Sequence, residues 1–114
     1  VRRAAHIDEN QPAIVEALLN IGCTVQSLAA VGLGVPDLLV GYAGVNMLLE
    51  TKNPATRNGR VNEAKSRGGL DRDQHTWHQA WKGQAAVVWS PEEAIEAVRR
   101  VLAREKPAVA ESAA

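Results

Sequence analysis

Two apolar runs of strand length, residues 37–42 and 46–52, are joined by a short turn that contains Gly44. Such runs on either side of a glycine-containing turn predict an antiparallel β-hairpin. No other feature restricts the fold as much, because apolar strands must be buried within a layered structure. The flanking segments supply the layers. Asn10 is placed to cap a helix, with Pro12 just inside its start and Gly22 beyond its last apolar residue. Ile14, Val15, Leu18, Leu19 and Ile21 follow helical spacing along that helix. Residues 24–28 form a short strand candidate, and Gly32-Leu33-Gly34 makes a turn that Pro36 closes.

Beyond the hairpin, residues 53–69 hold Pro54, Gly59, Gly68 and Gly69 and almost no large apolar side chain. A loop of that length in a compact domain is functional or disordered. Asp71 caps a helix that reaches about residue 82 and carries Trp77 and Trp81 four apart. Residues 85–89 are a fully apolar strand of the kind buried on both faces. Ser90-Pro91-Glu92-Glu93 is a capping box that starts a last helix to about residue 104, with Ile95, Val98 and Leu102 inward. The order is α-β-β-β-α-β-α, an α/β fold with a mixed central sheet flanked by helices. One core fits in 114 residues and two do not. The domain is expected over 10–104, between a mobile arm (1–9) and a flexible tail (105–114).

No apolar run approaches the ~20 residues of a membrane span, so no membrane partner is expected. The single Cys23 has no disulfide partner, which suits a reducing, cytoplasmic setting. Thirteen basic and thirteen acidic residues cancel. Locally they do not: Lys52, Arg57, Arg60, Lys65, Arg67 and Arg72 face only Glu63 and Asp71 between 52 and 72, a balance of +4. This is a cationic strip on an otherwise acidic chain, suited to phosphates or merely solvated.

The hairpin carries the chemistry. Glu50 and Lys52 alternate onto the same side of one strand end, and Asp37 opens the neighbouring strand. All three therefore converge at one end of the sheet. Two close carboxylates repel unless a cation lies between them, and hard oxygen ligands suit Mg²⁺ or Mn²⁺. A lysine beside them can hold a water or offset charge on a transferring phosphoryl group. The alternative is a solvated cross-strand pair worth under ~1 kcal/mol. Trp77, Trp81 and Trp89 fit core and rim packing, with base stacking as the alternative. Gly32-x-Gly34 lacks the third glycine of a dinucleotide loop, so no nucleotide cofactor is expected.

Gly34-Val35-Pro36-Asp37-Leu38-Leu39-Val40, then Leu48-Leu49-Glu50-Thr51-Lys52, then Gln74 on a helix after a basic loop, resemble the PD-(D/E)XK nuclease superfamily. The similarity is greatest to its small phage and bacterial VRR-NUC type, relatives of Holliday-junction resolvases, over roughly residues 10–104. The resemblance implies a restriction-endonuclease-like core and a Mg²⁺-dependent deoxyribonuclease that leaves 5′ phosphates. It implies Asp37, Glu50 and the Thr51 carbonyl as metal ligands, Lys52 as the residue that places the attacking water, and Gln74 as its support. Gln74 also sits three residues after Asp71, so it equally fits a reciprocal helix cap. Where such nucleases often carry a glutamate on the first helix, this chain has Gln11 and Ala13, with Glu16 a turn later. Arg57, Arg60, Lys65, Arg67, Arg72 and His78 are the expected DNA contacts. The expected active unit is a homodimer, with Trp77, Trp81, Val88 and Trp89 as its patch. The alternative function is a nucleic-acid-binding module that keeps the fold with little or no activity.

Overall fold

A computed structural model describes residues 10–53 and 67–113. The arm expected over 1–9, and Arg57, Arg60 and Lys65 of the basic loop, lie outside the described residues. The elements are α1 (Gln11–Asn20), β1 (Thr24–Ser27), β2 (Leu38–Tyr42), β3 (Val45–Thr51), α2 (Arg72–Ala80), β4 (Ala85–Val88) and α3 (Pro91–Ala113). The strands form one sheet in the order β1-β2-β3-β4. β1, β2 and β3 pair antiparallel, and β4 joins β3 in parallel. The chain is α/β with a mixed sheet, in the element order expected.

The hairpin owes its register to its turn. Ala43 and Gly44 both take positive φ, 51° and 84°, between the paired residues Tyr42 and Val45. Two consecutive left-handed residues make a type I′ turn, whose twist matches that of the strands it joins. From there the register runs to Leu38 opposite Leu49. One further step sets Asp37 across from Glu50.

Strand alternation then separates two faces. Leu38, Val40, Met47, Leu49 and Val88 point to a core closed by Ile14 and Leu18 of α1 and Ala94, Ala97, Val98 and Val101 of α3. Leu39, Leu48 and Glu50 point the other way, where Glu50 accepts from Gln74 of α2, a helix with no fully buried residue. α1 stops in a Schellman motif, with Cys23 N–H donating to the Leu18 carbonyl and Gly22 N–H to that of Leu19 (both 3.0 Å).

Four expectations are corrected. The inner face of α3 is Ala94, Ala97, Val98 and Val101, whereas Ile95 and Leu102 are half-exposed. Two of its four buried residues are alanines, so side-chain bulk does not mark the buried side. β4 is an edge strand, and of its residues only Val88 is buried. That burial also removes Val88 from the patch expected to pair two copies. Finally, α3 continues past residue 104 to Ala113, so the tail expected from 105 is helical over 105–113. Among the described residues no helix is long and apolar enough to cross a membrane.

Candidate active site

The site grows from the end of β3. Lys52 N–H donates to the Val88 carbonyl of β4 at 2.9 Å. Its own carbonyl accepts from Asn10 Nδ2 at 2.9 Å, and the same amide reaches the Trp89 carbonyl at 3.0 Å. Asn10 was expected to cap α1 with its side chain, but it makes no such bond. It ties the start of α1 to the ends of two strands instead, which fixes the Lys52 backbone from both sides.

The Lys52 side chain, 19% exposed, reaches Gln74 Oε1 at 2.7 Å and lies 3.9 Å from Glu50 Oε2. Gln74 Nε2 donates to that same Glu50 oxygen at 3.0 Å. Gln74 Oε1 also accepts the Asp71 N–H at 3.0 Å, and Gln74 N–H donates to Asp71 Oδ1 at 2.8 Å, closing a capping box. The capping and supporting roles of Gln74 are therefore not alternatives. One carbonyl oxygen uses two lone pairs, one toward the helix start and one toward the lysine. The amide can adopt only this orientation, since a flip would aim its NH₂ at two donors.

Glu50 is only 2% exposed. A buried carboxylate costs several kcal/mol unless charges and donors compensate it, and Lys52 and Gln74 supply that compensation here. Asp37, opposite, accepts from Thr51 N–H at 2.8 Å and Thr51 Oγ1 at 2.9 Å, both through Oδ2. Thr51 Oγ1 is also 2.8 Å from the Gln11 side-chain oxygen. The hydroxyl has one proton, and the charged Asp37 oxygen is the stronger acceptor. Turning the Gln11 amide so that its NH₂ donates to Oγ1 satisfies all three groups.

Glu50, Lys52 and Gln74 are thus joined by direct contacts, while the Asp37 carboxylate on the neighbouring strand is bonded to Thr51. Among the described residues no three His, Cys, Asp or Glu side chains cluster as metal ligands. The oxygens that would hold an ion at this sheet end are those of Asp37, Glu50 and the Thr51 carbonyl, a sparse set of the kind that Mg²⁺ or Mn²⁺, which keep several waters, would accept.

Of the other expected contacts, Arg67, Arg72 and His78 lie within the described residues. Arg72 opens α2 and is exposed. Arg67 Nε donates to the Leu70 carbonyl at 3.0 Å and braces its own turn. His78 lies one turn beyond Gln74, and its buried Nε2 has no hydrogen-bond partner. Burial, then the charges of Lys52 and His75, lower its pKa, so the ring is neutral near pH 7. Trp77 stacks on Trp81 with centroids 4.7 Å apart, and Trp81 remains 47% exposed rather than in the core. Cys23 is buried, which raises its thiol pKa and leaves it inert.

Sequence reasoning missed Asn10 as part of the site and named Gln11 only as standing where such nucleases often carry a glutamate. Gln11 left a legible signal: with Ile14 and Leu18 it occupies the buried stripe of α1, where a polar side chain needs a partner. Asn10 left none beyond its capping preference. The chain matches no protein-family model, no curated protein and no solved structure.

Proposed function

We propose that this protein is a Mg²⁺-dependent nuclease that hydrolyses DNA phosphodiester bonds, a small enzyme of the PD-(D/E)XK kind with a restriction-endonuclease-like core and selectivity for branched DNA. The observation that carries the reading is the chain Lys52–Gln74–Glu50 with Asp37 across the strand pair. An ammonium is held by a side-chain amide beside a buried carboxylate, at a sheet end that also offers a second carboxylate. Asp37, Glu50 and the Thr51 carbonyl would hold the ion, which supplies Lewis-acid charge at the scissile phosphate when bound. Lys52 Nζ would position the attacking water by hydrogen bonding and offset charge on the phosphoryl group as it becomes five-coordinate. The water oxygen forms the new bond to phosphorus in line as the bond to the 3′ oxygen breaks. That oxygen leaves and takes a proton, so the phosphate stays on the 5′ end. Gln74 keeps Nζ aimed and supports Glu50, and Asn10 holds the Lys52 backbone in place.

Incubation with a labelled four-way junction, a flap and a linear duplex, with and without Mg²⁺, tests this. Metal-dependent cleavage of at least one substrate, lost in Lys52→Ala, is expected. Mg²⁺ should also raise the melting temperature by mass action, and Asp37→Asn should remove most of that shift. A second reading, a DNA-binding module with little activity, is favoured by Gln11, a neutral amide at the point where α1 meets Thr51. Binding of all three DNAs with no cleavage, and no effect of Mg²⁺ on melting, would select it. Severing both strands at once takes a second site, and a second copy would bring one. Sedimentation equilibrium with and without DNA measures whether two copies associate.

A further inference from the structure

The connection between β1 and β2 is built almost without polar side chains: Leu28-Ala29-Ala30-Val31-Gly32-Leu33-Gly34-Val35-Pro36. Surface loops are ordinarily polar, and a run of exposed apolar residues is a fault in a sequence unless it has a use. Here residues 30–33 are all exposed, Val31 by 53% and Leu33 by 84%.

The loop has a defined shape. Val31 N–H donates to the Leu28 carbonyl at 2.9 Å and Val35 N–H to that of Gly32 at 3.1 Å, giving two successive turns. Its base is closed by Leu28 N–H on the Asp37 carbonyl at 2.7 Å. Gly34 rests so closely on the Asp73 carbonyl in the first turn of α2 that a Cβ there would collide with it. Leu33 itself is held at φ 61°, a left-handed conformation that costs a leucine roughly 1–2 kcal/mol. The chain therefore accepts backbone strain to hold a bare leucine in water. Such outliers persist where the surroundings over-determine them, typically at functional sites.

Position narrows the use. The loop spans the end of the sheet that bears Asp37, Glu50 and Lys52, anchored at Asp37 on one side and next to Gln74 on the other. Two projecting side chains are far too few for a stable protein interface, which buries roughly 800 Å² per partner. They match the apolar wedges that proteins insert between base steps to unstack and kink DNA. We infer that Val31 and Leu33 form a wedge that enters DNA at a break in base stacking. A branched or nicked duplex would thereby be set with its discontinuity beside the Lys52 end. This rests on the nuclease reading above and assigns recognition of its branched substrate to two side chains. A branch already lacks continuous stacking, so the wedge enters there at less cost than in a continuous duplex.

The test uses the full chain in metal-free buffer, where binding is read without cleavage. A flap duplex carries 2-aminopurine at the branch point, and a continuous duplex carries it at the same sequence position. The wild type should raise the fluorescence of the flap probe and not of the continuous one. Leu33→Gly should abolish that rise and cut the preference for flap over continuous duplex by about tenfold, in line with losing one buried leucine. Its melting temperature should hold or increase, since the strained residue is gone. Val31→Ser should act in the same direction, more weakly. An unchanged flap preference and fluorescence rise in Leu33→Gly overturns the wedge, as does wild-type flap binding with no rise; in both cases the nuclease reading stands. Leu33-dependent self-association without DNA also overturns it, in favour of a contact between copies. No binding to either DNA removes the nuclease reading and the wedge with it.

Discussion

One face of the sheet is dry and the other is polar, and the helices on them are held by different forces. α1 and α3 press Ile14, Leu18, Ala94, Ala97 and Val98 onto Leu38, Val40, Met47 and Leu49, all buried. α2, on the opposite side, has no fully buried residue; Gln74, His75, Trp77 and His78 are partly buried. It is held by Gln74 on Glu50 and Lys52 and by Gly34 against its first turn. Stability therefore resides on one face and the candidate chemistry on the other. Because α2 is anchored through the very groups that make up the site, its position is sensitive to whatever those groups bind.

Truncating a leucine on each face should separate the two most strongly. Leu49→Ala should cost about 2–5 kcal/mol, read by denaturant or thermal unfolding, because it opens a cavity in packed surroundings. Leu39→Ala, at 37% exposure on the other face, should cost under about 1 kcal/mol. Similar losses at both positions would show that the polar face contributes as much packing as the dry one.

Lys52→Ala probes the reverse case. Cleavage should fall by roughly 10²–10³, the scale of removing one preorganised charge, with little change in DNA affinity. Retained cleavage would reduce Lys52 to a structural partner of Glu50. Gln74→Ala removes the helix cap and both site contacts together, and about 1–2 kcal/mol of stability should go with it. Hydrogen exchange would place the loss: faster exchange in α2 and unchanged rates in α1 and α3 are expected.

pH separates the faces more gently. The folded-state pKa of His78 lies below its unfolded value near 6.5, so the unfolded chain binds the proton more readily. Its contribution is fully present above about pH 6.5 and is lost as pH falls from there toward the folded pKa. Melting temperature should decline between pH 7.5 and 5.5, and His78→Gln should flatten that decline. The smallest effect belongs to the hairpin turn, which both faces share. Ala43→Asn places a residue that tolerates the left-handed conformation at the first position of a type I′ turn. It should add about 0.5–1 kcal/mol to unfolding stability without altering either face.

What was local in the sequence was legible. Element order, the two-residue hairpin turn and the register that carries Asp37 to Glu50 all follow from short-range rules: strand alternation, turn chemistry and helix caps act over a few residues. Partner choice between distant segments was not legible. Asn10 satisfies the local preference for a cap, yet its side chain goes to Lys52 and Trp89, 42 and 79 residues away. Ile95 and Leu102 outrank Ala94 and Ala97 in hydrophobicity, but the packed orientation of α3 buries the alanines. The apolar character of residues 28–36 was plain in the chain, whereas the exposure of Leu33 and its place beside Asp37 depended on Gly34 lodging against α2. Tertiary structure decided these points because each hydrogen bond and each close contact there joins groups that no short window of sequence contains.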